Sequence, residues 1–141
     1  MKRLLGTTLV LLVLAAALYY FLVIRPALNR AHQVRSLADM NTIAALLREY
    51  KEENGEYPAD LREAIPDRYS PRILADGFNI PFYFESRDGG FILVSFGKDR
   101  KPDGTDYWAL RDSSAPMESV AGDFGADQVL SDHGWHREAG K

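Results

Sequence analysis

The stretch LLGTTLVLLVLAAALYYFLVI, residues 4–24, contains no charged side chain and no proline. As a helix rising about 1.5 Å per residue it extends roughly 31 Å, the thickness of a bilayer's hydrocarbon core. A cleavable secretory signal has a shorter apolar region that ends at a small-residue site. Ala15, Ala16 and Ala17 offer such a site, but Leu18, Tyr19, Tyr20, Phe21, Leu22, Val23 and Ile24 carry the apolar run beyond it. The stretch therefore reads as a retained membrane anchor, residues 1–27. Lys2 and Arg3 precede it, and Arg25, Arg30 and Arg35 follow it. That balance of cations leaves the orientation open.

Outward from the anchor, Arg25-Pro26 closes the apolar run, and Pro26 is expected to kink the helix without ending it. Leu37, Met40, Ala44 and Leu47 then recur at spacings of three and four, with Ile43 and Tyr50 widening the stripe. Arg30, Arg35, Arg48, Glu49, Lys51 and Glu52 fill the remaining surface. Glu53-Asn54-Gly55 supplies a stop, with Gly55 as the left-handed residue at the helix end. The pattern predicts one long helix, apolar all round in its first half and amphipathic over residues 28–54. Its apolar stripe requires a partner layer.

The partner is a small antiparallel sheet. IPFYFES (residues 80–86) and GFILVSF (90–96) are rich in aromatic and β-branched side chains, and they flank the tight-turn sequence RDGG. Before them, Asp60 can start a short helix that Pro66 terminates, with Leu61 and Ile65 inward. Beyond Phe96 the chain reads as irregular for about thirty residues, with DSSAPM (112–117) an exposed loop, until QVLS (128–131) and GWHR (134–137) form a last hairpin through Asp132-His133. The expected fold class is α+β. A globular domain at 28–141 would comprise the helix at 28–54, a short helix and sheet at 58–97, and an acidic loop with the terminal hairpin at 98–137.

Composition excludes more than it selects. The chain of 141 residues holds one domain and a short appendage, and its net charge of −3 offers no basic footprint for nucleic acid. The absence of cysteine excludes disulfides and thiolate metal sites. No G-x-S-x-G, phosphate loop or dinucleotide fingerprint is present, so no catalytic constellation argues for an enzyme. Asp123-Phe124-Gly125 spells a kinase tripeptide without any of its companions. His133 and His136 read as surface residues lacking a third zinc ligand nearby. From Asp99 to Asp132 there are eight acids and three Lys or Arg. That bias reads either as a solvated acidic face or as a cation site.

The order of these signals resembles a known family. An anchor helix with an amphipathic continuation, then YKEENGEYP, a short helix, a hairpin and an acidic loop, is similar to the type IV pilin-like proteins, and most to the major pseudopilin of type II secretion systems. DGFNIPF (76–82) resembles that family's D-P-W-G-x-P-Y: Asp76 and Pro81 match, Phe78 and Phe82 supply aromatics, and Gly77 and Asn79 depart. Ser95, Gly97, Asp99, Gly104, Thr105 and Asp106 fall on a strand-to-calcium-loop pattern, S-x-G-x-D-G…G-T-x-D-D, with Arg100 where glycine is expected. Asp127, Val129, Asp132, Gly134 and Trp135 resemble the family's closing hairpin.

The resemblance implies a structural subunit of a secretion pseudopilus or related filament, single-pass in a bacterial inner membrane, with a periplasmic domain supporting protein export. Implied partners are copies of itself or other pseudopilins through the N-terminal helix, inner-membrane components of the secretion system, and lipid. It also implies calcium, six to eight oxygen ligands being its preference, held by Asp99, Asp103, Asp106 and Asp127. Processing in the family follows a glycine before phenylalanine, with glutamate fifth in the mature chain. Here Gly6 precedes Thr7, and Leu11 stands fifth. A membrane-tethered periplasmic domain that does not polymerise, and binds a partner protein or ligand, is the alternative.

Overall fold

The computed structural model describes residues 2–69, 71–102, 104–113 and 127–136, with backbone alone at 2–7, 99 and 113. The chain divides into two units, Met1–Ala31 and His32–Lys141, built on different principles.

The first unit is helical throughout its described length. α1 spans Lys2–Tyr19, a π-helical turn covers Tyr20–Ile24, and α2 begins at Arg25. Pro26 explains the wide turn. It has no N–H for the carbonyl four residues back, and its ring crowds that carbonyl. The backbone instead lets the Arg25 N–H reach the Tyr20 carbonyl five residues away, a single π turn inserted in an α-helix. The expected continuity past Pro26 is thus observed, with a widened turn as the local adjustment. Every residue from 8 to 28 is exposed, Leu11 and Leu22 each at 66%. A helix this apolar and this bare is long enough to cross a membrane.

In the second unit α2 continues to Asn54 and buries one face. Met40, Ile43, Ala44, Leu46 and Leu47 are the apolar buried positions, and Gln33 and Ser36 are buried at its polar end. The helix stops where the sequence indicates: Gly55 has φ +85° and donates to the Lys51 carbonyl at 2.8 Å. Lys51 in turn lies 4.4 Å from the centre of the Tyr57 ring and donates to the Gly89 carbonyl at 2.7 Å. The helix end is thereby tied to the first hairpin turn. Asp60 caps a 3-10 turn, Leu61–Ala64, by accepting from the Arg62 N–H.

Four antiparallel strands follow in the order β1 (Tyr83–Arg87), β2 (Gly90–Ser95), β3 (Gln128–Ser131) and β4 (Gly134–His136). Both predicted hairpins form. Asp88 at φ 51° and Gly89 at φ 74° give the first turn two successive left-handed residues, the geometry that matches strand twist. β1 starts three residues later than its apolar run, because residues 76–80 are drawn into a turn around Asp76.

Register sorts the side chains onto two faces. Phe84, Phe91, Leu93, Leu130 and Trp135 share the face that packs on Met40, Ile43, Ala44 and Leu47, together with Leu61, Ala64, Ile73 and Phe82. Tyr83, Glu85, Arg87, Ile92, Val94, Val129, Ser131 and His136 share the other. β2 is buried at every position, so this second face also needs a cover. A helix read as irregular chain in the sequence, α3 (Tyr107–Ser113), packs against β2. The result is the expected α+β arrangement, with a helix on the second face that the sequence did not suggest.

Candidate functional site

A densely hydrogen-bonded polar constellation forms at the turn of DGFNIPF. Asp76 is 1% exposed. Its Oδ1 accepts from the backbone N–H groups of Phe78 and Ile80, both at 2.9 Å, and its Oδ2 accepts from Ser95 Oγ at 2.8 Å. Its own N–H donates to the Ile80 carbonyl at 2.8 Å. A buried carboxylate is tolerable only when its oxygens are satisfied in this way. The turn also docks on α2: the Gly77 N–H donates to Ser36 Oγ at 2.9 Å, and Ser36 Oγ donates to the His32 carbonyl at 3.1 Å. A β-carbon on Gly77 would lie 1.9 Å from that carbonyl oxygen, so the residue has to be glycine. Phe78 packs beside His32, ring centres 5.2 Å apart. Two positions from separate stretches of the resemblance, Asp76 and Ser95, are therefore hydrogen-bonded to each other.

The aspartates assigned to calcium have diverse surroundings. Asp99 closes a 3-10 turn, Gly97–Asp99, but its carboxylate lies outside the described residues, as does the whole of Asp103. Asp106 is exposed and starts α3, its Oδ1 accepting from the N–H groups of Trp108 at 3.1 Å and Ala109 at 3.0 Å. Asp127 is half-buried just before β3 and accepts a hydrogen bond from the Tyr107 hydroxyl. Both described carboxylates thus do structural work with protein donors. Among the described residues no three His, Asp or Glu side chains come together to hold a metal ion. Arg100, where the family pattern has glycine, adopts φ 64°, a conformation in which a β-carbon costs about 1–2 kcal/mol. Gly6 and Thr7 lie within α1, and their side chains are outside the description. The DFG tripeptide, 123–125, lies wholly outside the described residues.

What fastens the segment after β2 is a pair the sequence did not single out. Arg111 of α3 makes a two-pronged ion pair with Asp132 in the β3–β4 turn, Nε to Oδ1 at 2.8 Å and Nη2 to Oδ2 at 3.0 Å. Both side chains are more than four-fifths buried. Burial opposes ionisation of Asp132, but the Arg111 hydrogen bonds and charge, with the Phe91 N–H, outweigh it and hold the carboxyl below its ordinary value. Trp108 is flanked by two guanidiniums, Arg87 at 4.3 Å and Arg111 at 5.2 Å from its ring centre. Gly90 makes room for this. A β-carbon there would lie 2.4 Å from Arg111 Nη2.

His136 corrects the reading of its sequence position. Expected at the surface, it is fully buried, 2.7 Å from Ser131 Oγ. Burial first, then the nearby His133 and Arg111, hold its imidazole below the ordinary histidine value. The register on β4 accounts for it, since His136 stands opposite Val129 on the covered face. His133, one turn earlier, is exposed as expected. Of the aromatics expected in core and sheet, Phe82 is buried and Phe84 packs against the core, while Tyr83 is 40% exposed and lies near Phe96 and Tyr107.

No protein-family model, characterised protein or solved structure matches this chain. A long apolar N-terminal helix and an amphipathic segment packed on a small antiparallel sheet are nonetheless compatible with a pilin-like fold.

Proposed function

We propose that the chain is a membrane-anchored, pilin-like structural subunit, of a type II secretion pseudopilus or a related short filament, which supports protein export mechanically and catalyses nothing. One observation carries the reading. A single continuous helix leaves lipid-like side chains bare on all sides in its first unit, and in its second unit presents a stripe to a four-stranded antiparallel sheet. The Asp76–Ser95 hydrogen bond adds support, because it joins two positions that the resemblance draws from separate motifs. The bare apolar helix would serve as a lipid-stored anchor and as the surface through which subunits, or other pseudopilins, meet inside the inner membrane. The folded unit would stand in the periplasm.

Calcium belongs to this reading through Asp99 and Asp103, since Asp106 and Asp127 are engaged by α3 and Tyr107. A bound ion would neutralise the loop's acids and draw its carbonyls inward. Melting the full chain with calcium and then with chelator tests it. Calcium at a hundredfold over its dissociation constant adds about 2.7 kcal/mol, and an unchanged melt removes calcium from the proposal without touching the subunit role.

A second reading is favoured by Gly6-Thr7 and by Leu11 where the family has glutamate: a tethered domain that is never processed and never polymerises, and binds a partner instead. The intact mass of the membrane-extracted protein separates the two. Loss of residues 1–6 with N-methylation supports the subunit. A full-length chain, with no ladder of crosslinks from Leu11→Cys in this cysteine-free background, supports the tethered domain.

A further inference from the structure

On the face of the sheet turned away from α2, the inner strands are buried without being wholly apolar. Ile92 and Val94 share it with Ser131 and His136, which is fully buried. Gly90 stands on the same face, and the direction of its absent β-carbon meets Arg111 and Asp132. That places the guanidinium of α3 on the His136 side of the sheet. α3 has seven residues, too few to be stable as a helix by itself. Its attachments include Arg87 over the Trp108 ring, the Arg111–Asp132 pair, the Tyr107–Asp127 hydrogen bond and the Asp106 cap.

We propose that α3 is a strap released by acid, fastened by Arg111 to Asp132 and lifted when His136 on the covered face takes up a proton. The charged groups around the imidazole set the sign. Arg111 and Asp112 approach from α3, and Asp132 and His133 from the β3–β4 turn, while Ser131 Oγ on β3 is its hydrogen-bonding neighbour. A proton arriving there would place a second cation near the Arg111 guanidinium on a buried face. Asp132 already spends both oxygens on Arg111. The charge is relieved by water, and water reaches it when α3 leaves. The closed form excludes the proton that the open form binds, so acid favours opening, starting near the ordinary histidine value of about 6.5. The strap stands independently of the pilin-like reading.

Hydrogen exchange on the full chain in detergent micelles tests it, at pH 7.5 and 5.0, with rates corrected for intrinsic exchange. Protection of residues 107–113 is expected to fall roughly tenfold per pH unit below about 6.5, the one-proton slope, while residues 90–95 of the central strand keep theirs. His136→Gln is expected to abolish the pH dependence, and His133→Gln to retain one. Arg111→Met is expected to leave 107–113 poorly protected at both pH values with 90–95 intact. Protection of 107–113 that ignores pH overturns the proposal. So does an undiminished acid effect in His136→Gln, a loss shared equally by 90–95, or wild-type protection in Arg111→Met at pH 7.5.

Discussion

The two faces of the sheet are held by different forces. Toward α2, Phe91, Leu93, Leu130 and Trp135 meet Met40, Ile43 and Leu47 in an apolar cluster, whose strength is proportional to area and indifferent to pH. Toward α3, burial is just as complete at Ile92, Val94 and His136, but the cover is short and is fastened by an ion pair and a ring between two guanidiniums. The first face is insured by the length of its helix. The second depends on a few directional contacts, which makes it the face that chemistry can open.

Substitutions on each side sharpen that contrast. Phe91→Ala, in the centre of the first face, is expected to cost about 3–5 kcal/mol, read as a lower urea midpoint with an unchanged slope. A loss under 2 kcal/mol would mean the apolar cluster is not the main support of the domain. Asp76→Ala, at the polar end of the same interface, leaves the Phe78 and Ile80 N–H groups unmatched and is expected to cost about 3 kcal/mol.

On the second face Asp132→Asn leaves Arg111 with only its exposed Asp112 ion pair, at 2.8 Å, and is expected to cost about 1–3 kcal/mol. The wild-type advantage has a definite pH window. Because the Asp132 carboxyl is held below its ordinary value, its contribution is complete above the unfolded value near 3.8 and disappears as pH falls through the folded one. Equal stability of Asp132→Asn and wild type at pH 7 would break the comparison, since both faces would then be held by packing alone. The smallest effect has the opposite sign. Arg100→Gly removes a β-carbon from a left-handed position and is expected to add about 0.5–1 kcal/mol, as a melting temperature raised by a few degrees.

The same division separates what was legible in the sequence from what was not. The first face could be read because it rests on periodicity: Leu37, Met40, Ala44 and Leu47 at helical spacing, two apolar runs around RDGG, and Gly55 at a helix end. The second could not. YWALRDS is too short to show a period, although Asp106 before it is a fair cap signal. Arg111 and Asp132 are joined across 21 positions that carry no pattern. His136 reads as surface from its place near the chain end. Only the strand alternation from Gly134 gives it away, and that requires the hairpin register to be known. The Asp76 turn lies between these extremes. Its motif was visible, but the satisfaction of its carboxylate by Phe78, Ile80 and Ser95 is a property of three dimensions.

The π turn at Tyr20–Ile24 has a consequence for anyone using the helix as a ruler. One residue beyond the α repeat is absorbed there, and one residue amounts to about 100° of rotation. Side chains of α1 and of the first turns of α2 are therefore out of phase with a uniform helical wheel drawn through Pro26. Deleting a single residue between 20 and 24 while replacing Pro26 by alanine would restore the common phase. Crosslinking positions chosen on the span should be counted from Tyr19 backwards, and never carried across the proline.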